Sequence, residues 1–154
     1  MMGAPVPGDL LDALATRRLA ERYAVAVDRG DGDLFAAQFT ADGVLEAPRG
    51  RFEGRAALAG VPPMMRGLYR RTWHGVLGQA VDFTGDAGEG ETYAIARHFY
   101  EDRDGRPSCY EMTIRYADRF VRRDGAWLIG QRRLVVDATH RFPVEGDKAG
   151  KEQA

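Results

Sequence analysis

The order of hydrophobic and polar residues divides the chain into an N-terminal part of helical period and a C-terminal part of alternating period. Between residues 9 and 29, apolar side chains recur every three to five positions, which is typical of a helix with one buried stripe. Asp9 is placed to cap this helix, because its carboxylate can accept hydrogen bonds from the free amides of the first turn. The predicted stripe consists of Leu11, Leu14, Ala15, Leu19, Tyr23, Ala26 and Val27.

A turn and a second, shorter helix are predicted after the first. Gly30 and Gly32 supply the turn, because glycine accepts backbone angles that other residues avoid. Asp31 or Asp33 then caps the second helix, and residues 40–43 end it. The apolar face of this helix is expected to contain Leu34, Phe35 and Phe39.

Two short strands and a third helical segment come next. Residues 44–47 and 51–53 have the composition of strands, and residues 48–50 contain the proline and glycine of a turn between them. A helical segment begins at Gly54, and the prolines at positions 62–63 are expected to interrupt it because they cannot donate a backbone hydrogen bond.

From residue 71 onward the period is two, which indicates strands. The connections at 104–105 and 124–125 are Asp-Gly dipeptides, which favour tight hairpins because glycine accepts a positive φ. Helices followed by antiparallel strands predict an α+β domain in which the helices cover one face of a curved sheet and form a cone. The four predicted strands are 72–83, 91–101, 108–122 and 126–137.

We expect one domain over residues 9–140, because a chain of 154 residues with 44% hydrophobic residues can build a single core. Residues 1–8 are expected to be a flexible N-terminus, and residues 141–154 a flexible C-terminal tail. No apolar run is long enough to span a membrane, and no signal segment is evident, so a cytoplasmic protein is predicted.

The alternation of side chains predicts which residues of the third and fourth long strands face the interior. On the third strand the apolar set contains one acid, Asp118, and consists of Tyr110, Met112, Ile114, Tyr116, Asp118 and Phe120. On the fourth strand the apolar set contains one base, Arg132, and consists of Leu128, Gly130, Arg132, Leu134 and Val136. A buried guanidinium needs an acidic partner or an anionic ligand. The sequence therefore leaves two interpretations of Arg132: a structural pair with Asp118, or a functional charge.

The opposite face of the fourth strand predicts an assembly. If Trp127, Ile129 and Val135 point away from the interior, they leave an apolar patch on the outside of the sheet. We therefore expect a homo-oligomer, either a trimer or a dimer.

Charge and cysteine content exclude several classes of function. The net charge is −1, and no basic cluster is interleaved with aromatic residues, so nucleic acid and anionic membranes are not expected partners. The single cysteine, Cys109, rules out an intrachain disulfide and a multi-cysteine metal site. Neither a clustered set of metal ligands nor a phosphate-binding glycine loop is present, so no metal or cofactor is predicted.

Histidine is the residue type in this chain best suited to proton transfer near neutral pH. His74 begins the first long strand, whereas His98 and His140 are weaker candidates on their sequence contexts. A histidine paired with an aspartate from another element can act as a general base, because the carboxylate fixes the tautomer and stabilises the imidazolium.

The sequence resembles the SnoaL-like families of the NTF2-like superfamily over about residues 9–140. The resemblance is carried by four segments: Arg-Tyr…Asp-Arg-Gly-Asp at 22–31, Phe-Glu-Gly-Arg-Ala-Ala-Leu at 52–58, Trp-His at 73–74, and Arg-Arg-Asp-Gly-Ala-Trp at 122–127. It implies a cone with about three N-terminal helices and a curved mixed or antiparallel sheet that encloses a pocket.

Within that superfamily the polar residues resemble the dehydratase and dehydrochlorinase branch. This resemblance implies a cofactor-independent lyase, with a catalytic set of Tyr23, Asp28, His74 and Arg132. His98 is a looser candidate for contact with the substrate, a small and largely apolar cyclic or carbonyl compound. The remaining substrate-binding residues would be Met112, Tyr116, Asp118, Phe120, Leu134 and Val136.

Two other functions are consistent with the resemblance. One is an isomerase of the ketosteroid type or a polyketide cyclase of secondary metabolism, with Asp28 or Asp118 as the base. The other is a domain that binds a small ligand without catalysis.

Overall fold

The computed structural model describes residues 7–145, which form four helices and six strands. The helices are α1 (Pro7–Arg29), α2 (Gly32–Ala36), α3 (Arg55–Ala59) and α4 (Val61–Leu68). The strands are β1 (Phe39–Ala47), β2 (Gly50–Glu53), β3 (Arg71–Thr84), β4 (Ala87–Glu101), β5 (Pro107–Arg123) and β6 (Ala126–Pro143). This is the predicted α+β architecture.

The predicted domain limits are slightly too narrow. Helix α1 begins at Pro7 rather than Asp9, and β6 continues to Pro143, which pairs with Ser108 of β5. The rest of the two predicted flexible ends, residues 1–6 and 146–154, lies outside the described residues.

The six strands form one curved, unclosed sheet in the order β2-β1-β6-β5-β4-β3. All neighbouring pairs are antiparallel except β1 and β6, which are parallel, so the sheet is mixed. The hairpin between β5 and β6 turns at Asp124 and Gly125, whose φ angles of 52° and 79° confirm the predicted Asp-Gly turn.

Helix α1 buries one side against the sheet, but its first turns do not follow the predicted stripe. Leu11 and Leu14 are 70% and 58% exposed, so their prediction as buried residues is wrong. The buried stripe begins at Thr16, where α1 meets β3, and continues through Leu19, Ala20, Tyr23, Ala26 and Val27.

The predicted second helix is shorter than expected. Asp31 caps it by accepting a hydrogen bond from the Leu34 amide, at 2.9 Å. The helix ends at Ala36, so residues 40–43, predicted to break it, lie in β1. Phe39 is buried as predicted, but as the first residue of β1.

Strand β6 contains a bulge that reverses the predicted facing of its first residues. Arg119 pairs with Gln131 and Phe120 pairs with Ile129, so Gly130 is an extra residue without a partner. Because a one-residue insertion shifts the alternation, Trp127 and Ile129 point into the core. Their predicted outward orientation is wrong, and the apolar patch from which an oligomer was predicted does not contain them.

The core lies between α1, α2 and the concave face of the sheet. It contains an aromatic cluster in which the Tyr23 ring centroid lies 4.6 Å from that of Phe35 and 5.4 Å from that of Tyr116. In the part of the chain that the structure describes, no helix is long and apolar enough to cross a membrane.

Candidate active site

A cavity of about 440 Å³ lies between α1, α4 and the concave face of the sheet. Its lining is mostly apolar, and two imidazoles and four tyrosines contribute polar groups. Of the predicted site residues, the cavity lining includes Tyr23, His74, His98, Met112, Tyr116, Leu134 and Val136. A cavity of this size is typical of a small-molecule site.

The structure brings Asp28 and His74 together, and His74 is part of the cavity lining. Asp28 lies in the last turn of α1, which Gly30 ends with a φ of 70°, and His74 lies at the start of β3. The His74 Nδ1 is 2.7 Å from Asp28 Oδ1, and the His74 amide donates to Asp28 Oδ2 at 2.9 Å. The Thr72 hydroxyl donates to Asp28 Oδ1 at 2.9 Å. The carboxylate is therefore held by three donors.

The Asp28 carboxyl is ionised at neutral pH. Burial is the largest single influence on its pKa and raises it, but the side-chain and backbone hydrogen bonds from His74 and that from Thr72 together lower the pKa below its ordinary value. The ionised Asp28 carboxylate accepts a hydrogen bond from His74 Nδ1–H, so in the neutral tautomer of the imidazole Nε2 carries no proton. No group within residues 7–145 makes a hydrogen bond to Nε2.

Helix geometry explains why Tyr23 lines the cavity whereas Asp28 faces β3. Five residues correspond to about 140° of rotation around a helix. Tyr23 and Val27, which are four residues apart, line the cavity, whereas Asp28 faces β3 and lies behind the His74 ring. The cavity therefore meets Asp28 only through His74.

Tyr23 and Tyr116 supply hydroxyl groups that stay protonated at neutral pH. Burial raises the pKa of both phenols, that of Tyr116 well above its ordinary value. The positive charge of Arg132 opposes this shift for both, and a hydrogen bond from Tyr116 also lowers the pKa of Tyr23. Of the pair, Tyr23 is the better proton donor.

His98 is a neutral residue of the cavity lining. Its Nδ1 lies 3.1 Å from the carbonyl oxygen of Tyr110, its partner on β5, so Nδ1 carries a proton. Burial lowers the pKa of His98 to about 4. The ring centroids of His74 and His98 are 5.9 Å apart and nearly perpendicular.

Arg132 and Asp118 form an ion pair that lies beneath the cavity, not in its lining. The guanidinium is fully buried and bidentate, with Nε and Nη2 at 2.7 and 2.8 Å from the two Asp118 oxygens. Burial by itself lowers the pKa of Arg132, but the Asp118 charge outweighs it and the pKa is raised. The prediction that Arg132 and Asp118 touch the substrate is not supported, because the rings of Tyr23 and Tyr116 separate them from the cavity.

The guanidinium of Arg132 contacts two aromatic rings. Its Cζ is 4.5 Å from the ring centroid of Tyr23 and 4.1 Å from that of Tyr116, which gives two cation–π contacts. Its Nη1 makes no hydrogen bond within residues 7–145. Phe120, predicted to bind the substrate, is buried in the core and is also absent from the cavity lining.

A chain of hydrogen bonds holds Asp118 in place. The Thr92 hydroxyl donates to Asp118 Oδ2 at 2.8 Å, and the Gln79 amide donates to Thr92 Oγ1 at 3.0 Å. The Thr16 hydroxyl donates to the Gln79 side-chain oxygen at 3.0 Å. This chain links α1, β3, β4 and β5 below the two tyrosines, so it fixes the ion pair without contacting the cavity.

Sequence reasoning missed several residues of the cavity lining. Arg49, in the turn between β1 and β2, and Tyr69, after α4, line the cavity because these segments fold over its opening. Met64 and Met65 of α4 also line it. The alternation on the long strands could not identify these residues, because they lie on turns and helices.

No group of three or more histidine, cysteine, aspartate or glutamate side chains that could hold a metal ion occurs within residues 7–145. Cys109 is buried, and burial raises the pKa of its thiol. A thiol of this kind is a poor nucleophile, because the reactive form is the thiolate.

A curved sheet whose concave face is covered by helices and encloses such a cavity defines a domain of the NTF2-like superfamily. The SnoaL-like domain family matches residues 8–133. The chain therefore belongs to the SnoaL-like domain family.

Solved structures with the same fold include three with different descriptions. A protein of unknown function from Mycobacterium tuberculosis is 27% identical, with a TM-score of 0.74 over 88% of this chain and 78% of that chain. A proposed scytalone dehydratase from Novosphingobium aromaticivorans is 24% identical, with a TM-score of 0.76 over 90% and 92%. A hexachlorocyclohexane dehydrochlorinase is 16% identical, with a TM-score of 0.77 over 90% and 92%. No curated protein sequence matches the chain.

Proposed function

We propose that this protein is a cofactor-independent lyase that eliminates water, or a related leaving group, from a small and largely apolar cyclic or carbonyl compound. The observation that carries this proposal is the contact between His74 and Asp28 at a cavity of about 440 Å³. The His74 side chain is only 8% exposed, so its free nitrogen faces the cavity contents rather than bulk water.

His74 acts as the general base in this proposal. Nε2 takes a proton from a carbon of the substrate, and the imidazolium that forms is stabilised by the ionised Asp28 carboxylate at Nδ1. The electron pair of the broken C–H bond forms the new carbon–carbon double bond. The leaving group departs from the neighbouring carbon with its own bonding pair.

Tyr23 acts as the acid that meets the leaving group. Its raised pKa keeps the phenol protonated at neutral pH, so it can donate a hydrogen bond or a proton to a departing hydroxyl group, which leaves as water. When the products leave, the proton on His74 is released to solvent and the Tyr23 phenolate takes a proton from solvent, which restores both groups.

Arg132 is a positioning residue in this proposal. It does not reach the cavity, but its charge lies 4.5 Å from the ring centroid of Tyr23 and lowers the pKa of that phenol against the effect of burial. Arg132 thus makes proton donation by Tyr23 easier, and Asp118 keeps the guanidinium in place.

The rest of the cavity lining is mostly apolar. Met112, Leu134 and Val136 are apolar side chains of the sheet, and Met64 and Met65 of α4 close the opposite side. Proton transfers and developing charges interact more strongly when water is absent.

The isomerase alternative requires Asp28 or Asp118 to act as the base. Asp118 is buried in a bidentate ion pair, and Asp28 is held by three donors behind His74. Neither carboxylate lines the cavity, so neither is placed to take a proton from a bound ketone. In a ligand-binding domain without catalysis, the Asp28 carboxylate would serve only to hold α1 against β3.

The test is turnover by the wild type and by His74→Gln on a panel of cyclic alcohols and halides, beginning with scytalone and hexachlorocyclohexane. Products are followed by mass spectrometry, because loss of water or hydrogen chloride differs in mass from a rearrangement. General base catalysis contributes about 10²–10⁴-fold, so His74→Gln should lose about that much activity.

His140→Gln is the matched control. His140 is an exposed histidine of β6 that lies outside the cavity, so its substitution should leave turnover unchanged. Unchanged elimination by His74→Gln, or a product of the same mass as the substrate, would reject the proposed reaction.

A further inference from the structure

Arg49 is the only permanently charged residue of the cavity lining within residues 7–145. It lies in the turn between β1 and β2 and is exposed, so it marks the place where the cavity opens to solvent. We call this place the mouth of the cavity. Of the groups deeper inside, Arg132 is neutralised by Asp118 and His98 is uncharged.

The guanidinium of Arg49 is held at the mouth by an aromatic residue rather than by an acid. Its Nη2 donates to the Tyr69 hydroxyl at 2.7 Å, and its Cζ is 5.6 Å from the Tyr69 ring centroid. Within residues 7–145 no carboxylate lies within 4.0 Å of it. The guanidinium has five N–H donors, and one hydrogen bond from it is formed within the described part of the chain.

Arg51, two residues further along the same hairpin, is paired with acidic side chains. Its guanidinium lies 2.6 Å from Glu46 and 3.2 Å from Glu53, so its charge is neutralised by the protein. The paired arginine, Arg51, lies outside the cavity lining, whereas the arginine without an acidic partner in the described residues, Arg49, is part of it.

A row of three rings in tilted contact connects Arg49 with the interior. The centroid of Tyr69 lies 4.7 Å from that of His98, which lies 5.7 Å from that of Tyr110. We call these three residues the aromatic wall. Arg141 of β6 lies at its other end, with Cζ 4.2 Å from the Tyr110 ring centroid, and no carboxylate of residues 7–145 lies within 4.0 Å of it. Each end of the aromatic wall thus carries a guanidinium without an acidic partner in the described part of the chain.

We propose that the substrate is a cyclic carboxylic acid whose carboxylate is bound by Arg49 at the mouth while its ring lies against the aromatic wall. An apolar cavity with one unneutralised guanidinium at its opening is complementary to a molecule with an apolar ring and one anionic end. The free N–H donors of Arg49 can bind both oxygens of a carboxylate. The ring then extends toward His74, whose centroid is 5.9 Å from that of His98.

This inference names the substrate class of the proposed lyase and rests on that proposed function for the reaction, but the anion site can be tested by binding alone. The probes are 2-naphthoate and its neutral methyl ester, titrated calorimetrically into the full chain at low ionic strength. The variants are Arg49→Gln, Arg141→Gln and, as the matched control, Arg51→Gln.

The wild type should bind 2-naphthoate more tightly than the ester. A charge-assisted hydrogen bond contributes about 1.5–3 kcal/mol, so Arg49→Gln should weaken 2-naphthoate binding by about tenfold or more and leave the ester unchanged. Arg51→Gln should change neither affinity, and Arg141→Gln should have a smaller effect than Arg49→Gln. Added salt should weaken binding of the carboxylate only, because the site is exposed.

The inference is overturned if the wild type binds the ester as tightly as the carboxylate or binds neither probe. It is also overturned if Arg49→Gln weakens both probes equally, or if Arg51→Gln has the same effect. Failure of the lyase proposal gives a different result: carboxylate selectivity that depends on Arg49, together with turnover that does not depend on His74. A lyase that depends on His74 but not on Arg49 rejects only the anion site.

Discussion

His98 and Tyr110 are joined by a hydrogen bond of 3.1 Å between the imidazole Nδ1 and a main-chain carbonyl oxygen. Because a carbonyl can only accept, the proton must reside on Nδ1, and Nε2 of the neutral ring is an acceptor. Burial holds the pKa of His98 at about 4, so the ring stays neutral at physiological pH. The lining of the cavity therefore contains a polar group that can accept a hydrogen bond from a substrate hydroxyl.

Acid should destabilise the protein through His98. The pKa is 6.5 in the unfolded chain and about 4 in the folded one, so between these values the unfolded state binds more protons and stability falls as the pH falls. The difference corresponds to about 3 kcal/mol. Denaturant unfolding at several pH values should show this loss in the wild type, and its absence in His98→Phe. Parallel pH profiles of the two proteins would contradict the assignment.

Asp28→Asn should abolish most turnover without unfolding the protein. An asparagine amide can donate to His74 Nδ1, which would move the imidazole proton to Nε2 and remove the base from the cavity. We expect a loss of about 10²–10⁴-fold in kcat, measured together with the midpoint of thermal unfolding. A variant with normal kcat would show that Asp28 does not set the His74 tautomer.

The Asp28 carboxylate should also stabilise the fold above its ordinary pKa. Its folded-state pKa is lowered, so the stabilisation is fully present above pH 3.8 and is lost as the pH falls through the folded value. In Asp28→Asn this part of the acid-induced loss should be missing. The measurement is the free energy of unfolding between about pH 5 and pH 2, compared with that of the wild type.

Tyr23→Phe should affect the elimination of water more than the elimination of halide. A departing hydroxyl group needs a proton, whereas a halide ion leaves without one. We expect the variant to lose about 10²-fold or more in kcat on a cyclic alcohol and to keep most of its activity on a cyclic halide. Equal losses on both substrates would indicate that Tyr23 shapes the cavity rather than donating a proton.

Removing one charge of the buried ion pair should lower the free energy of unfolding more than replacing both residues with apolar ones. Asp118→Asn leaves a buried guanidinium without a counter-charge and should lower the free energy of unfolding by about 3–5 kcal/mol. The double variant Asp118→Leu/Arg132→Met removes both charges and should be more stable than Asp118→Asn. Denaturant unfolding of both variants gives the comparison, and a double variant less stable than Asp118→Asn would contradict it.

A homo-oligomer, trimer or dimer, remains a prediction, now based on different residues. Trp73 of β3 and Tyr93 of β4 are 45% and 46% exposed on the convex face of the sheet, opposite the cavity. Sedimentation equilibrium of the wild type should give more than one chain per particle, and Trp73→Glu should shift the protein toward the monomer. A monomeric wild type would reject the prediction.

The fold could be predicted from the sequence because the two periods of hydrophobic residues are distinct. The predicted helix of residues 9–29 lies within α1, and the two Asp-Gly dipeptides lie at hairpins. The α+β class and the curved sheet follow from the order of these elements. The predicted strands fall within the observed ones, which are longer at their ends.

The features that could not be predicted from the sequence depend on strand pairing and side-chain packing. Gly130 reads as an ordinary position in an alternating strand, and only pairing with β5 shows that it is the extra residue of a bulge. The same pairing places Asp118 opposite Arg132, and only the packing of two tyrosine rings shows that the pair lies outside the cavity. Arg49 could not be singled out, because a turn gives no periodic signal.

The unpaired Gly130 of β6 reverses the alternation of side chains along the strand. Before it, Trp127 and Ile129 point into the core, and the Trp127 indole donates a hydrogen bond to Asp12 of α1 at 2.8 Å. After it, Leu134 and Val136 line the chamber. One strand therefore supplies both core residues and cavity residues, at separate positions. Substitutions at Leu134 and Val136 can change the shape of the cavity without changing the core contacts of Trp127 and Ile129.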